Sequence, residues 1–419
     1  MSANKNLLPL QSLFKAAGLP GYLLFSANIL YFFVTRRREL NDYAAIDDSA
    51  IFQIIFILTV FLISLYLLLK EPQKIKFLFL SPQIFLFLYI TICFVSMLWT
   101  PNLFLTGFRA FESLTYIILI SLVAYNLVTK VSLQDTIEWA ILWVVWDIFW
   151  SIALEVKFSG FAYLIWPFNS SRLVVPIFFF FALLLSKRNY FKYIILAFSI
   201  LSVSNKVFFG IALGLIGFFY GDSKAKGWLF LIVIPLLVTL LFVDIEEILL
   251  NTLFYGRESV SMTQTSGRDK IWGIAWNAFL QKPLIGYGFV SGENLVLYDK
   301  FKGGAINTHS FIFSSLLGTG ITGTLCLLLY FWTAFKKASS IYFPLSKFRP
   351  AMVSTVIMSL VVSSVAPGVG GRVYGSWVPV VLAFTIISAL QYKFETIYKV
   401  KNIQKTVNHE NNMGGAFFS

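Results

Sequence analysis

The residues best suited to chemistry lie in two short segments of the 419-residue chain. The first reads Ser-Gly-Arg-Asp at residues 266–269 and fits the S-x-x-[DE] pattern that opens a helix. Arg268 would then lie in the first helical turn, where backbone N–H groups also point outward, so it could bind an anion such as phosphate. The alternative is that Arg268 extends toward a membrane interface or pairs with Asp269.

The second segment reads Asn-Thr-His-Ser at residues 307–310 and precedes a long apolar stretch. His309 would stand at the positive end of a helix dipole, which disfavours imidazolium and keeps the ring neutral and available as a general base. The chain has two histidines, and the other, His409, lies in a polar tail. A histidine used in chemistry would therefore be His309, although an interfacial histidine that caps its helix fits the spacing equally well.

An amphipathic helix is predicted to follow Arg268, because Trp272, Trp276 and Phe279 recur at helical spacing, as suits a membrane interface. Pro283 ends this helix, and the Gly-Tyr-Gly sequence at 286–288 makes a tight, flexible exit. After His309, small residues four apart predict faces on which membrane helices pack closely. These faces are Ser314, Gly318 and Thr322 on one side, and Ser315, Thr319 and Gly323 on the next.

The composition indicates that these elements are embedded in a membrane. Apolar residues make up 58% of the chain and charged residues 13%, against roughly 45–50% and about 25% in soluble domains. We predict an all-α integral membrane protein with about twelve transmembrane helices. The predicted spans are near 18–35, 50–69, 77–99, 111–128, 138–156, 172–186, 191–205, 206–221, 227–243, 310–335, 351–366 and 374–391.

The net charge of +13 is spread between apolar runs, which argues against a nucleic-acid surface and indicates membrane orientation instead. More Lys and Arg residues fall in the short inner loops if both termini are cytoplasmic. Residues 1–391 then form a polytopic membrane domain without a removable signal peptide. Its long extracytoplasmic loop at 244–308 carries short amphipathic helices, and residues 392–419 form a polar cytoplasmic tail.

Several cations fall on the outer side, which the positive-inside rule depletes. A cluster of cations that faces a membrane-embedded cavity would suit a diphosphate group. They include Arg172, Lys206, Arg268 and Arg372. Charges within the spans are either functional or internal ion pairs, such as Asp147 with Arg109. Cys93 and Cys326 lie in apolar stretches and are predicted to be core residues, not part of a disulfide framework or a metal site.

In this order, the two segments resemble the bacterial O-antigen ligase and polymerase superfamily. The family's Ser-Gly-Arg, aromatic helix and Pro-Leu-x-Gly-x-Gly pattern reads here as 266–268, Trp272 and 283–288. Its His-Asn and Gly-x-x-Gly pattern reads as 309–310 and 320–323, and 204–206 looks like its Ser-Arg element, with Lys206 in place of Arg. Arg172 resembles a basic residue before the sixth span. The chain departs from the pattern at Ser310, which replaces Asn, and at Gly318, where an acidic residue is common.

The resemblance implies an inverting glycosyltransferase that uses glycan linked to undecaprenyl diphosphate and needs no metal or other cofactor. His309 would accept a proton from the acceptor sugar, and Arg268 would stabilise charge on the diphosphate. The remaining predicted residues would bind the diphosphate or the glycan. They are Arg172, Lys206, Asn307 and Arg372.

The implied protein is a multi-pass protein of the bacterial inner membrane, with its site on the periplasmic or exterior face. The departure at Ser310 favours a polymerase of O-antigen, capsule or exopolysaccharide. An O-antigen ligase, which transfers the glycan to lipid A–core, uses the same donor chemistry. A flippase or transporter of lipid-linked oligosaccharides is the alternative from another class, although the chain lacks the repeated halves that are common in transporters.

Overall fold

Helix is the regular secondary structure of the described part of the protein, and no strand occurs in it. The prediction of an all-α protein is thus confirmed for these residues. The predicted span near 227–243, most of the tail at 392–419, and the part of the predicted span near 206–221 other than residues 214–219 lie outside the described residues. The computed structural model describes residues 8–34, 48–80, 82–159, 171–201, 214–219, 268–300, 307–340, 348–365, 377–393 and 395.

The helices are numbered in chain order. Those before residue 160 are α1 (Leu10–Ala16), α2 (Gly18–Val34), α3 (Asp48–Lys70), α4 (Ile75–Leu78), α5 (Gln83–Val95), α6 (Leu103–Lys130) and α7 (Leu133–Ser159). Those after it are α8 (Ser171–Leu185), α9 (Asn189–Leu201), α10 (Arg268–Phe279), α11 (Ser291–Lys300), α12 (Phe311–Ser339), α13 (Arg349–Val365) and α14 (Trp377–Lys393). Residues 214–219 are also helical.

Four helices within the described residues are long and apolar enough to cross a membrane, namely α3, α6, α7 up to Leu154, and α12. Two bent pairs, α1 with α2 and Pro72–Leu78 with Gln83–Leu98, raise the number to six if each pair is one span. The chain is therefore an integral membrane protein. The predicted number of about twelve spans stays a prediction, because α8 and α9, for example, have 15 and 13 residues.

The helices differ strongly in their burial. In the membrane-length window of α6, 83% of the residues are buried, against 22% in α3. A helix that is buried on most sides belongs to the core, so α6 is central to the bundle. In contrast, α3 exposes large apolar side chains such as Phe52 and Leu62, as expected of a helix that faces lipid.

Asp147 and Arg109 do not form the ion pair suggested from the sequence, because each has another partner. The Arg109 guanidinium lies 2.8 Å from Glu112 Oε2, one turn further along α6. Gln53 of α3 donates to the other oxygen of that carboxylate at 3.0 Å. Asp147 instead accepts a hydrogen bond from Asn28 Nδ2 at 2.9 Å. Arg109 therefore has a partner on its own helix, because residues three apart on a helix are neighbours.

The two ends of α6 lead to different polar regions. The helix has 28 residues, which corresponds to about 42 Å of length. Beyond its C-terminal end, the buried Glu138 of α7 accepts hydrogen bonds from Ser186 Oγ at 2.8 Å and from the Lys187 N–H at 2.6 Å. At its N-terminal end, Thr106 donates to the carbonyl of Phe289 at 2.9 Å. The predicted site thus lies at the end of α6 opposite to Glu138.

Candidate functional site

Helix α10, which begins at Arg268, packs against the helix that follows His309. It begins at Arg268 and ends at Phe279, four residues before Pro283, which confirms the predicted helix. Ser266, the predicted cap, lies outside the described residues. Ala275 and Ala278 are buried in one apolar cluster with Leu317 of α12. Small side chains on this face let the two helices approach closely.

The turn after α10 inserts into a break in α12. Gly320 has the non-helical angles φ 68° and ψ −164°, so the predicted continuous helix is interrupted there. In an unbroken helix the Leu317 carbonyl would accept from the N–H of Ile321. Instead, Leu317 O accepts from the Tyr287 N–H at 2.6 Å, and the Ile321 N–H donates to Pro283 O at 2.8 Å. The turn therefore satisfies backbone groups that the break leaves open, as a membrane interior requires.

The small residues of α12 fit this insertion. On Gly286, which has φ +66°, a Cβ atom would lie 2.5 Å from Leu317 O. Only glycine combines that left-handed conformation with so close an approach. Gly318 faces Phe289, and Thr322 Oγ1 donates to Leu284 O at 3.1 Å. The predicted face of Ser314, Gly318 and Thr322 therefore packs against the segment 283–293, which corrects the expectation that it packs against another spanning helix.

The same segment then binds the turn between α5 and α6. The Phe289 N–H donates to Ser96 Oγ at 3.0 Å, and its carbonyl accepts from Thr106 Oγ1 at 2.9 Å. Ser291 Oγ lies 2.8 Å from Thr106 Oγ1. Residues 283–291 are thus fixed on two sides, by α12 and by the N-terminal end of the core helix α6.

Thr308, the residue before the predicted base His309, is hydrogen-bonded to α10. Trp272 of α10 donates from its indole Nε1 to Thr308 O at 2.9 Å, and its ring stacks on Phe313 at 5.5 Å between centroids. The Thr308 hydroxyl lies 2.9 Å from Ser314 Oγ and donates to Ser310 O at 3.1 Å. Helix α10, which begins at Arg268, and the histidine segment, separate in sequence, therefore meet at Thr308.

His309 follows in a constrained conformation. Its φ angle is +52°, which is uncommon for a residue with a Cβ atom and persists where the surroundings enforce it. Its N–H donates to the side-chain oxygen of Asn307 at 3.1 Å. The half-buried residue precedes Ser310, the N-cap of α12. His309 thus stands before the helix start, as predicted, on a short, tightly bonded segment.

Comparison with known protein families assigns this region. Residues 191–328 match the family model described as O-antigen ligase, Wzy_C. This match covers part of the chain and supports its resemblance to the O-antigen ligase and polymerase superfamily. The matched stretch includes α10, the inserted turn, α11 and His309. No match was found among curated proteins. Members of this family are glycosyltransferase-like enzymes, and the family implies lipid-linked glycan and lipid A–core as substrates in general.

The structure brings together only some of the predicted site residues. Asn307 and His309 are in contact, and Arg268 is the first residue of α10, one turn before Trp272. Arg172 is the second residue of α8. Lys206 and Arg372 lie outside the described residues. Within the described residues, no three His, Cys, Asp or Glu side chains are grouped so that they could hold a metal ion.

One acidic residue near His309 was missed by the sequence analysis. Glu293, in the first turn of α11, is 4% exposed, and its Oε1 accepts from the Thr308 N–H at 2.7 Å and from Ser314 Oγ at 2.7 Å. The departure at Gly318 argues against a mechanism that needs a carboxylate beside the histidine, whereas Glu293 places a carboxylate against Thr308 from another helix. An available signal was the position of Glu293 inside the loop, between the two motifs.

Replacing Trp272 with phenylalanine should lower activity about tenfold, because the ring stack on Phe313 can remain while the hydrogen bond to Thr308 O is lost. Activity per unit of protein in isolated membranes is the measurement. Trp276→Phe is the matched control, since Trp276 lies on the same helix and is 48% exposed. Equal activity of the two variants would contradict a role for the Trp272–Thr308 bond.

Proposed function

We propose that the chain is an inverting glycosyltransferase that polymerises glycan repeat units carried on undecaprenyl diphosphate. The observation that supports this most is the meeting of the two family segments at Thr308, through the Trp272 hydrogen bond of 2.9 Å. It joins the helix that begins at Arg268 to the residue before His309. A cation for the leaving group and a base for the acceptor are the two groups that such a transfer needs.

In the proposed reaction, His309 takes the proton from a hydroxyl of the acceptor sugar. The hydroxyl oxygen attacks the anomeric carbon of the donor, and the bond from that carbon to the diphosphate oxygen breaks with inversion. Undecaprenyl diphosphate leaves with the bonding electron pair. Arg268 and Arg172 stabilise the negative charge that develops on it, since a guanidinium matches phosphate oxygens in geometry and charge. Lys206, Asn307 and Arg372 bind the diphosphate or the glycan.

The acceptor distinguishes the polymerase from the ligase. In the proposed polymerase it is another lipid-linked repeat unit, and in a ligase it is lipid A–core. Ser310, which stands where the family pattern has Asn, favours the polymerase. Its side chain makes no capping hydrogen bond to α12, while its carbonyl accepts from Thr308 Oγ1 at 3.1 Å. Ser310 therefore contacts Thr308, the residue before His309, through its carbonyl group.

The proposed location is the bacterial inner membrane, with the site on its periplasmic or exterior face. The excess of Lys and Arg in the loops at the opposite side supports this orientation. Arg188, for example, lies beyond the end of α8 beside Glu138, at the end of the bundle opposite to His309. A transporter of lipid-linked oligosaccharides would have no need of a base and is not favoured by the family match.

Replacing Arg268 with alanine should reduce transfer about 100- to 1000-fold, because the leaving diphosphate loses an electrostatic partner. Arg268→Lys should retain part of the activity, since it keeps the charge but not the planar fork. The measurement is a gel of surface polysaccharide from the native host, at matched protein abundance in the membrane. A single repeat on the core would identify a polymerase, and long glycan that remains on the carrier would identify a ligase.

Lys270→Ala is the matched control for Arg268, because Lys270 lies in the same helix turn and is exposed. It should give polysaccharide of normal length and amount. Normal polysaccharide in Arg268→Ala as well would contradict the assigned role of Arg268.

A further inference from the structure

Glu293 connects three parts of the site that are distant in sequence. It belongs to α11, and its Oε1 atom accepts hydrogen bonds from the Thr308 N–H and from Ser314 Oγ of α12, each at 2.7 Å. A buried carboxylate is costly unless such donors compensate for its lost hydration. A negative charge in the first turn of a helix is also favourable to the helix dipole. The hydrogen bonds from Thr308 and Ser314 therefore offset the cost of burying Glu293.

Thr308 is bound through every polar group that it has. Its N–H donates to Glu293, its carbonyl accepts from Trp272, and its hydroxyl contacts Ser314 and Ser310. The next residue is His309, with its φ angle of +52°. A left-handed conformation at a residue with a Cβ atom needs surroundings that enforce it. The acceptor on Glu293 fixes the Asn307–Thr308 peptide group, and the Trp272 donor fixes the next one, which immediately precedes this strained residue.

We propose that Glu293 is a positioning residue, which holds His309 in place through its hydrogen bonds from the Thr308 N–H and Ser314 Oγ without contacting the substrate. The inference rests on the proposed glycan transfer, in which His309 is the base. A small misplacement of a base reduces the rate of proton transfer much more than it reduces the binding of a distant lipid diphosphate. Loss of the Glu293 acceptor should therefore act on kcat.

The test compares Glu293→Ala with Glu293→Gln in the full chain in native membranes. The donor is undecaprenyl-diphosphate-linked glycan extracted from host cells that lack this chain. We expect Glu293→Ala to lower kcat about 100-fold, with KM for the donor unchanged. Glu293→Gln keeps an oxygen acceptor for Thr308 and Ser314, so its kcat should be about tenfold above that of Glu293→Ala. Unchanged kcat in Glu293→Ala, or no recovery in Glu293→Gln, would overturn the proposal.

Glu138→Gln is the matched control, because Glu138 is equally buried but lies at the other end of α6. It should lower the thermal unfolding midpoint without changing kcat per folded protein, and a fall in kcat like that of Glu293→Ala would overturn the specific role of Glu293.

Hydrogen exchange at Thr308 gives a readout that does not depend on activity. The Thr308 amide should exchange faster in Glu293→Ala than in the wild type or in Glu138→Gln, because it loses its acceptor. Unchanged exchange would overturn the proposal. If the wild-type chain transfers no glycan, the proposed function fails, and exchange at Thr308 still decides whether Glu293 holds this segment.

Discussion

Replacing His309 with alanine should abolish long surface glycan while leaving the protein at its normal level in the membrane. Loss of a general base typically reduces the rate by about 100- to 10,000-fold, and His309 is the base in the proposed transfer. Removal of the imidazole should leave the fold intact, because the backbone contacts of Thr308 and Ser310 remain. The measurement is a gel of surface polysaccharide from host cells in which the variant replaces the wild-type chain.

The chain provides its own control for this experiment. It has two histidines, and His409→Ala in the predicted tail should give surface polysaccharide of the same length and amount as the wild type. His309→Gln should be as inactive as His309→Ala, since an amide of similar size is a very weak base. Long glycan of normal amount in both His309 variants would exclude His309 as the base.

Replacing Gly320 with valine should prevent the site from forming and remove most of the folded protein. A Cβ atom on Gly320 would lie 2.4 Å from the carbonyl carbon of Leu284, and the residue has φ 68°. Neither the backbone of the inserted turn nor this angle can accommodate a branched side chain. Strain and overpacking together should cost about 3 kcal/mol or more in the free energy of unfolding. Membrane abundance and the thermal unfolding midpoint in detergent are the measurements.

Gly273→Ala is the matched control for Gly320. It lies within α10, and a Cβ atom there would meet nothing within 4 Å. Alanine in a helix interior is favoured over glycine by about 1 kcal/mol, so this variant should be as stable as the wild type or slightly more stable. An unfolding midpoint of Gly320→Val equal to that of Gly273→Ala would refute the close contact between Gly320 and Leu284.

The elements with strong local patterns could be predicted from the sequence. Helix α10 was predicted from the helical spacing of Trp272, Trp276 and Phe279. It ends before Pro283, as expected. The position of His309 before a long apolar helix also followed from the order of residues. These features depend on propensities and periods of neighbouring residues, which a single sequence contains.

The long-range pairings could not be predicted. The Gly320-x-x-Gly323 pattern fits close helix packing, but Gly320 breaks α12 because residues 283–288 supply the missing backbone partners. Nothing local to Gly320 reveals a partner more than thirty residues away. Glu293 was missed for a similar reason, since its role depends on its contact with Thr308. The pairing of Asp147 with Asn28 is also a matter of helix packing.

The most direct test of the proposed function follows the chemical fate of the donor. Purified full-length protein in lipid vesicles is incubated with undecaprenyl-diphosphate-linked glycan from the host, and the lipid and glycan products are separated. We predict free undecaprenyl diphosphate together with longer glycan on the remaining carrier, in matching amounts. Movement of the intact lipid-linked glycan across the vesicle membrane, with no released diphosphate and no longer product, would contradict a transferase and indicate a transporter.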